Sequence, residues 1–97
     1  MSFEWDLDKD RINRAKHGVA FEDATLVWDD PLMVLSRDLY ETGEPRWIAL
    51  GRIGVTTILS VVHVYRGDEG EQRVRIISAR KATRHERRKY DEDVLQR

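Results

Sequence analysis

The 97-residue sequence has no cysteine, which excludes a disulfide framework, a thiolate zinc site and a cysteine nucleophile. A cysteine-free chain suits a reducing compartment, and the location expected from the sequence is cytoplasmic. No run approaches the roughly 20 apolar residues of a membrane span, so no membrane association is expected. Met1-Ser2-Phe3-Glu4 does not begin a signal peptide. No phosphate-binding loop, dinucleotide fingerprint or hydrolase nucleophile elbow is present. His17, His63 and His85 lack metal-motif spacing, and His85-Glu86 lacks the second histidine of a zinc-protease helix. Neither a metal site nor a cofactor is expected.

Charge, in contrast, is plentiful at 36% of residues, and the net of −1 hides its distribution. Residues 1–49 hold six Lys/Arg against eleven Asp/Glu, a net of −5, while residues 50–97 hold eleven against seven, a net of +4. Between Arg73 and Lys89, eight cations face Glu86 alone, a net of +7. Such asymmetry points to an anionic partner, nucleic acid foremost, with a solvated charged face as the plain alternative.

At this length, without repeats or linkers, residues 1–97 make one domain with a single core. Phe3-Glu4-Trp5 reads as a short strand. Asp6 can cap a helix over residues 7–17 that ends at Gly18, and Asp10 can pair with Arg14. Phe21, Ala24, Thr25 and Trp28 predict a second helix over 21–28, stopped by Asp29-Asp30-Pro31. Strands are predicted at 32–36, 46–53, 56–65 and 72–80, with Gly67-Asp68-Glu69-Gly70 joining the last two. Thr83-Arg84-His85-Glu86 matches a capping box and starts a helix lasting to about Leu95. The order β-α-α-β-β-β-β-α makes an α+β domain, an antiparallel sheet with two N-terminal helices and one C-terminal helix.

The terminal helix carries the strongest functional signal. Arg84, Arg87 and Arg88 occupy its first turns, where the dipole disfavours cations, and Arg84/Arg88 repel at four-residue spacing. Helix stability does not ask for this arrangement; phosphate binding does. Glu86, Tyr90 and Val94 form a stripe suited to face the sheet. Arg80, where the last strand ends, suits bidentate phosphate contact or an ion pair with an acid of the first half. His63 is a proton-transfer candidate or a half-buried structural histidine. A four-residue hairpin loop places it on a face with Val74, Ile76, Ser78 and Arg80; one residue more places it opposite Arg75. Lys16 and His17 also suit a helix carboxyl end for stability alone.

The ordered blocks Phe3-Glu4-Trp5-Asp6, Lys16-His17-Gly18-Val19, Phe21-Glu22-Asp23-Ala24, Asp29-Asp30-Pro31, residues 46–51 and residues 75–90 resemble the BrnT family. Ala20 departs from the pattern, standing where members often carry a helix-capping serine. The resemblance implies a RelE-like fold, a ribonuclease toxin of a type II toxin–antitoxin system, and a BrnA-like antitoxin partner in a heterotetramer. It also implies metal-independent cleavage by attack of the ribose 2′-hydroxyl on the neighbouring phosphorus. The catalytic candidates are then Arg80, His63, Lys16, His17 and Tyr90, with Arg75, Arg84, Arg87 and Arg88 binding RNA phosphates. The competing reading is a non-catalytic module binding a protein or nucleic acid through the same basic face. A DNA-binding regulator is weaker, because no helix-turn-helix pattern is present.

Overall fold

The computed structural model describes residues 1–38, 43–68 and 70–97. Among these, five strands form one sheet in the order β1-β5-β4-β3-β2. The strands are β1 (Ser2–Glu4), β2 (Val34–Arg37), β3 (Trp47–Ile53), β4 (Thr57–Arg66) and β5 (Arg73–Lys81). The helices are α1 (Leu7–His17), α2 (Phe21–Ala24) and α3 (Arg84–Leu95), in the expected order along the chain. The sheet is antiparallel from β2 to β5, and β1 adds a parallel pairing at the far edge, Ser2 to Glu4 beside Arg73 to Arg75.

The sheet separates two cores. On one face, Phe21, Ala24 and Val27 pack on Ala49, Leu59, Val61, Val74, Ile76 and Ala79. On the other, Tyr90 of α3 packs among Val34, Leu50 and Ile58, with Val94 beside them. Alternation along the strands sends neighbouring residues such as Ala49 and Leu50, or Ile58 and Leu59, to the two opposite cores.

The second helix is shorter than predicted. An α-turn at Phe21–Ala24 passes into a 3₁₀ segment at Thr25–Asp29, whose three-residue repeat keeps Ala24 and Val27 on the sheet side. Ala20 supplies no cap, but Asp10 of α1 accepts the Phe21 N–H at 2.8 Å. The capping function thus comes from a neighbouring helix. Val27 lies against Gly51, where an added Cβ would collide with its side chain.

Helix α1 attaches by hydrogen bonds. Asp6 caps it, Gly18 closes it in the left-handed region at φ 72°, and Asn13 is its buried residue. The Asn13 amide donates to the carbonyls of Ala79 (2.8 Å) and Val19 (2.9 Å) and accepts the Ala79 N–H (3.1 Å). It does for β5 what another strand would do beyond the end of β1. Asn13→Ala leaves the Ala79 groups and the Val19 carbonyl without these partners, and a loss of about 2–4 kcal/mol is expected. Thermal denaturation reads it directly; an unchanged midpoint would show that the amide is dispensable.

The β4–β5 register contains a bulge. His63 pairs with Ile76, but Val62 pairs with Ser78, leaving Ile77 between them. An inserted residue reverses the alternation. Val74 and Ile76 therefore share the His63 face as the four-residue loop predicts, whereas Ser78 and Arg80 cross to the α3 face. Arg66 pairs with Arg73, so residues 67–72 form the connection; Glu69 of the predicted loop lies outside the described residues.

Candidate RNA-binding and cleavage site

The bulge delivers Arg80 to the amino end of α3. Its guanidinium grips Glu86 with both arms, Nη1 to Oε1 at 2.6 Å and Nη2 to Oε2 at 3.1 Å. Glu86 is also half of the capping box: it accepts the Thr83 N–H at 2.9 Å while Thr83 Oγ1 accepts the Glu86 N–H at 3.1 Å. Ser60 on β4 donates a further hydrogen bond to Glu86 at 3.3 Å. Burial alone would raise the Glu86 pKa, but the Arg80 and Thr83 hydrogen bonds outweigh it and hold the carboxyl below its ordinary value. Arg80 is shifted upward, chiefly by its hydrogen bonds to Glu86. The ion pair expected of Arg80 exists, but with α3 rather than with the acidic first half. About 40% of the Arg80 side chain stays exposed, so the held fork still presents positive charge outward.

The +7 segment divides into three groups. Arg73 and Arg75 both bind Glu4 of β1, at 2.7 and 2.9 Å. Arg75 lies five residues from Arg80, about 16 Å along the strand, and shares the Glu4 carboxylate with Arg73 there. Arg80 is committed to Glu86. Among the described residues Lys81, Arg84, Arg88 and Lys89 form no ion pair and are exposed, while Arg87 donates to the Thr56 carbonyl at 3.2 Å. The unpaired cations are concentrated on the solvent side of the first turns of α3.

Lys16 and His17 line a small cleft of about 190 Å³ between the end of α1 and the edge of β5, with Lys9, Ile12, Asn13, Ile77 and Ser78. Lys16 is exposed, and His17 is partly buried. Ser78 connects this cleft to the basic end of α3, since it shares the post-bulge strand face with Arg80 two residues on. Lys9 and Ser78 were not singled out from the sequence, where nothing distinguishes them from other surface polar residues.

His63 and Tyr90 occupy different surroundings. His63 has no exposed surface; Nδ1 lies 3.1 Å from the Val61 carbonyl, and the ring meets Trp28 and Tyr65 edge-on at 4.8 and 5.1 Å. Burial pushes its pKa down despite the backbone hydrogen bond, so the imidazole is neutral. It lies on the sheet face opposite Arg80. Tyr90 is 1% exposed, and its hydroxyl donates to Asp30 Oδ2 at 2.6 Å. Asp30 also accepts the N–H groups of Arg52 (2.8 Å) and Leu32 (2.9 Å). The sequence marked Asp30 as a helix stop; its role as the anchor for α3 depends on a residue 60 positions away.

Burial, then the Asp30 carboxylate, pushes the Tyr90 pKa up to about 12. A folded-state pKa above the unfolded value near 10 gives stability that is complete below pH 10 and is lost as pH rises to about 12. The expected loss across that window is about 3 kcal/mol. Denaturant titrations of wild type and Tyr90→Phe from pH 9 to 12 check it: the variant should lack this alkaline component. Equal alkaline losses in the two proteins would contradict it.

Residues 5–86 match the family of the ribonuclease toxin, BrnT, of type II toxin-antitoxin systems. The chain belongs to the BrnT family. Its structure is similar to the crystal structure of the Brucella abortus ribonuclease toxin BrnT, with 28% sequence identity and a TM-score of 0.61. That likeness covers 87% of this chain and 99% of the other. No curated protein matches the chain. The BrnT match includes Lys16, His17, Arg80 and Arg84 and stops within the first turn of α3, before Arg87 and Arg88. Among the described residues, no helix is long and apolar enough to cross a membrane.

Proposed function

We propose that the chain is an endoribonuclease toxin acting in the cytoplasm, whose phosphate-binding surface runs from Arg80 onto the outer side of α3. The observation that carries this reading is the set of unpaired cations, Arg84 and Arg88 foremost, at the end of the helix that least favours them. Membership of a family described as ribonuclease toxins supplies the reaction class.

The chemistry needs no metal and no covalent enzyme intermediate. The ribose 2′-oxygen forms a bond to the adjacent phosphorus while the bond from phosphorus to the 5′-oxygen breaks, leaving a 2′,3′-cyclic phosphate and a 5′-hydroxyl. One proton leaves the 2′-hydroxyl and one arrives at the 5′-oxygen. Arg80 and Arg84 stabilise the charge of the crowded phosphorane, and Arg87 and Arg88 hold flanking phosphates. Lys16 and His17, which reach the surface beside Ser78, carry the proton transfers. His63 and Tyr90 act as scaffold, because buried groups with these partners have no path to RNA; Arg75 contributes weakly because Glu4 holds it.

A type II toxin implies an antitoxin. We assign that role to a BrnA-like protein that lays an acidic segment over residues 73–89, in a heterotetramer with two copies of each chain. Covering the cations would exclude RNA by direct competition.

Incubation of purified protein with single-stranded RNA in excess EDTA tests the chemistry. Products ending in cyclic or 3′-phosphate and 5′-hydroxyl are expected. Cleavage that requires added divalent metal, or that leaves 5′-phosphates, would overturn the mechanism.

A further inference from the structure

Helix α3 has two long faces, and the chain covers one of them. Tyr90 and Val94 pack against the sheet, whereas Arg84, Arg88, Asp91 and Leu95 are exposed. At about 100° per residue these four fall within roughly 60° of arc. Their 4-3-4 spacing is that of a two-helix seam. With Arg87 and Glu92 on the flanks, they line a single shallow depression.

Two features of this stripe lack an explanation within the chain. Leu95 is 85% exposed, a large apolar side chain at the end of an otherwise charged surface. Arg88 has Asp91 and Glu92 three and four residues on, yet among the described residues neither acid forms an ion pair, and neither does Arg88.

The order of charges supplies the explanation. The cations stand at the amino end of the stripe, and the acids and leucine stand at the carboxyl end. Laid antiparallel on a copy of itself, with a two-fold axis level with the Lys89–Tyr90 peptide, the stripe is self-complementary. Arg88 meets the partner's Asp91, and the aliphatic stem of Arg84 covers the partner's Leu95. The symmetry repeats each contact. A parallel arrangement would instead bring like charges together.

We infer that the outward face of α3 is the interface of an antiparallel, two-fold homodimer of this chain. Nucleic acid suits only the amino half of the stripe, because Asp91 and Glu92 repel phosphates and Leu95 gains nothing from them. A second copy satisfies the whole stripe. One helix pair buries less than the roughly 1,200 Å² of a standard interface, so the dimer is weak, and its ion pairs make it salt-sensitive. RNA bound to Arg84 and Arg88 displaces the second copy.

Analytical ultracentrifugation of the full chain tests the dimer without reference to RNA cleavage, which is assayed separately and can stand or fall alone. Wild type should self-associate reversibly at low ionic strength and dissociate as salt is added. Arg88→Asp and Asp91→Arg should each weaken association about tenfold or more by placing like charges across the axis. Both substitutions lie on exposed surface, and circular dichroism verifies that each variant folds. An equimolar mixture of the two variants should recover the wild-type affinity as a heterodimer, since each then supplies the charge that the other lacks. A monomer at every salt concentration, single variants that dimerise like wild type, or a mixture that stays monomeric would each overturn the inference.

Discussion

Arg80→Ala is expected to lower the rate of RNA cleavage by about 10²–10³-fold, the scale seen when one donor to a developing oxyanion is removed. The expectation follows from how the guanidinium is held. Glu86 takes both arms of the fork, and Glu86 is itself fixed by the capping box and by Ser60. The cation is therefore placed before RNA arrives, and no ordering of a long side chain is deducted from its effect. Arg80→Lys retains charge but loses the bidentate grip, and its rate should fall between the other two. Arg80→Ala also strands the partly buried Glu86 carboxylate, so a stability loss of about 1–3 kcal/mol accompanies it. Initial rates measured well below the variant's unfolding temperature separate the two effects. An Arg80→Ala protein that is folded and cleaves at the wild-type rate would remove Arg80 from the site.

Replacing Arg84 and Arg88 together by alanine should weaken RNA binding, in addition to slowing the step in which Arg84 stabilises the phosphorane. Both side chains are exposed and form no ion pair, so the fold should be unaffected, and relieving their mutual repulsion should add slightly to helix stability. Each phosphate contact on a single strand contributes about 0.7 to the slope of log affinity against log salt. The double variant should lose about 1.4 from that slope and bind about 10- to 100-fold more weakly near physiological salt. Fluorescence anisotropy across a salt series gives both quantities. A slope unchanged from wild type would show that these arginines touch no phosphate.

Local chemistry made most of the fold readable from the sequence. Asp6 and Gly18 bound α1, Thr83 and Glu86 start α3, and alternating β-branched residues mark β4, because each signal operates within a few residues. The parallel pairing of β1 with β5 joins residues about 70 positions apart and leaves no local trace. The bulge at Ile77 was equally hidden, and it decides the site: one inserted residue puts Arg80 beside α3 and leaves His63 on the other face. Arg84 and Arg88 were legible because they contradict helix stability. Asn13 was not, since an asparagine inside a polar helix looks like surface until the Ala79 backbone is seen to need it. His63 drew attention by residue type and Tyr90 also by its place on the sheet-facing stripe, and both are buried.

The location of bound RNA tests the account most directly. A 2′-O-methyl oligonucleotide lacks the attacking hydroxyl, so it can be titrated into the isotopically labelled protein without being cleaved. Chemical-shift changes are expected on Arg80, Arg84 and Arg88, and on Lys16, His17 and Ser78 at the β5 edge, with little change at Arg73 and Arg75 beside Glu4. Shifts confined to the acidic first half, or to the β1 end of the sheet, with Arg80 and the first turns of α3 unmoved, would contradict it.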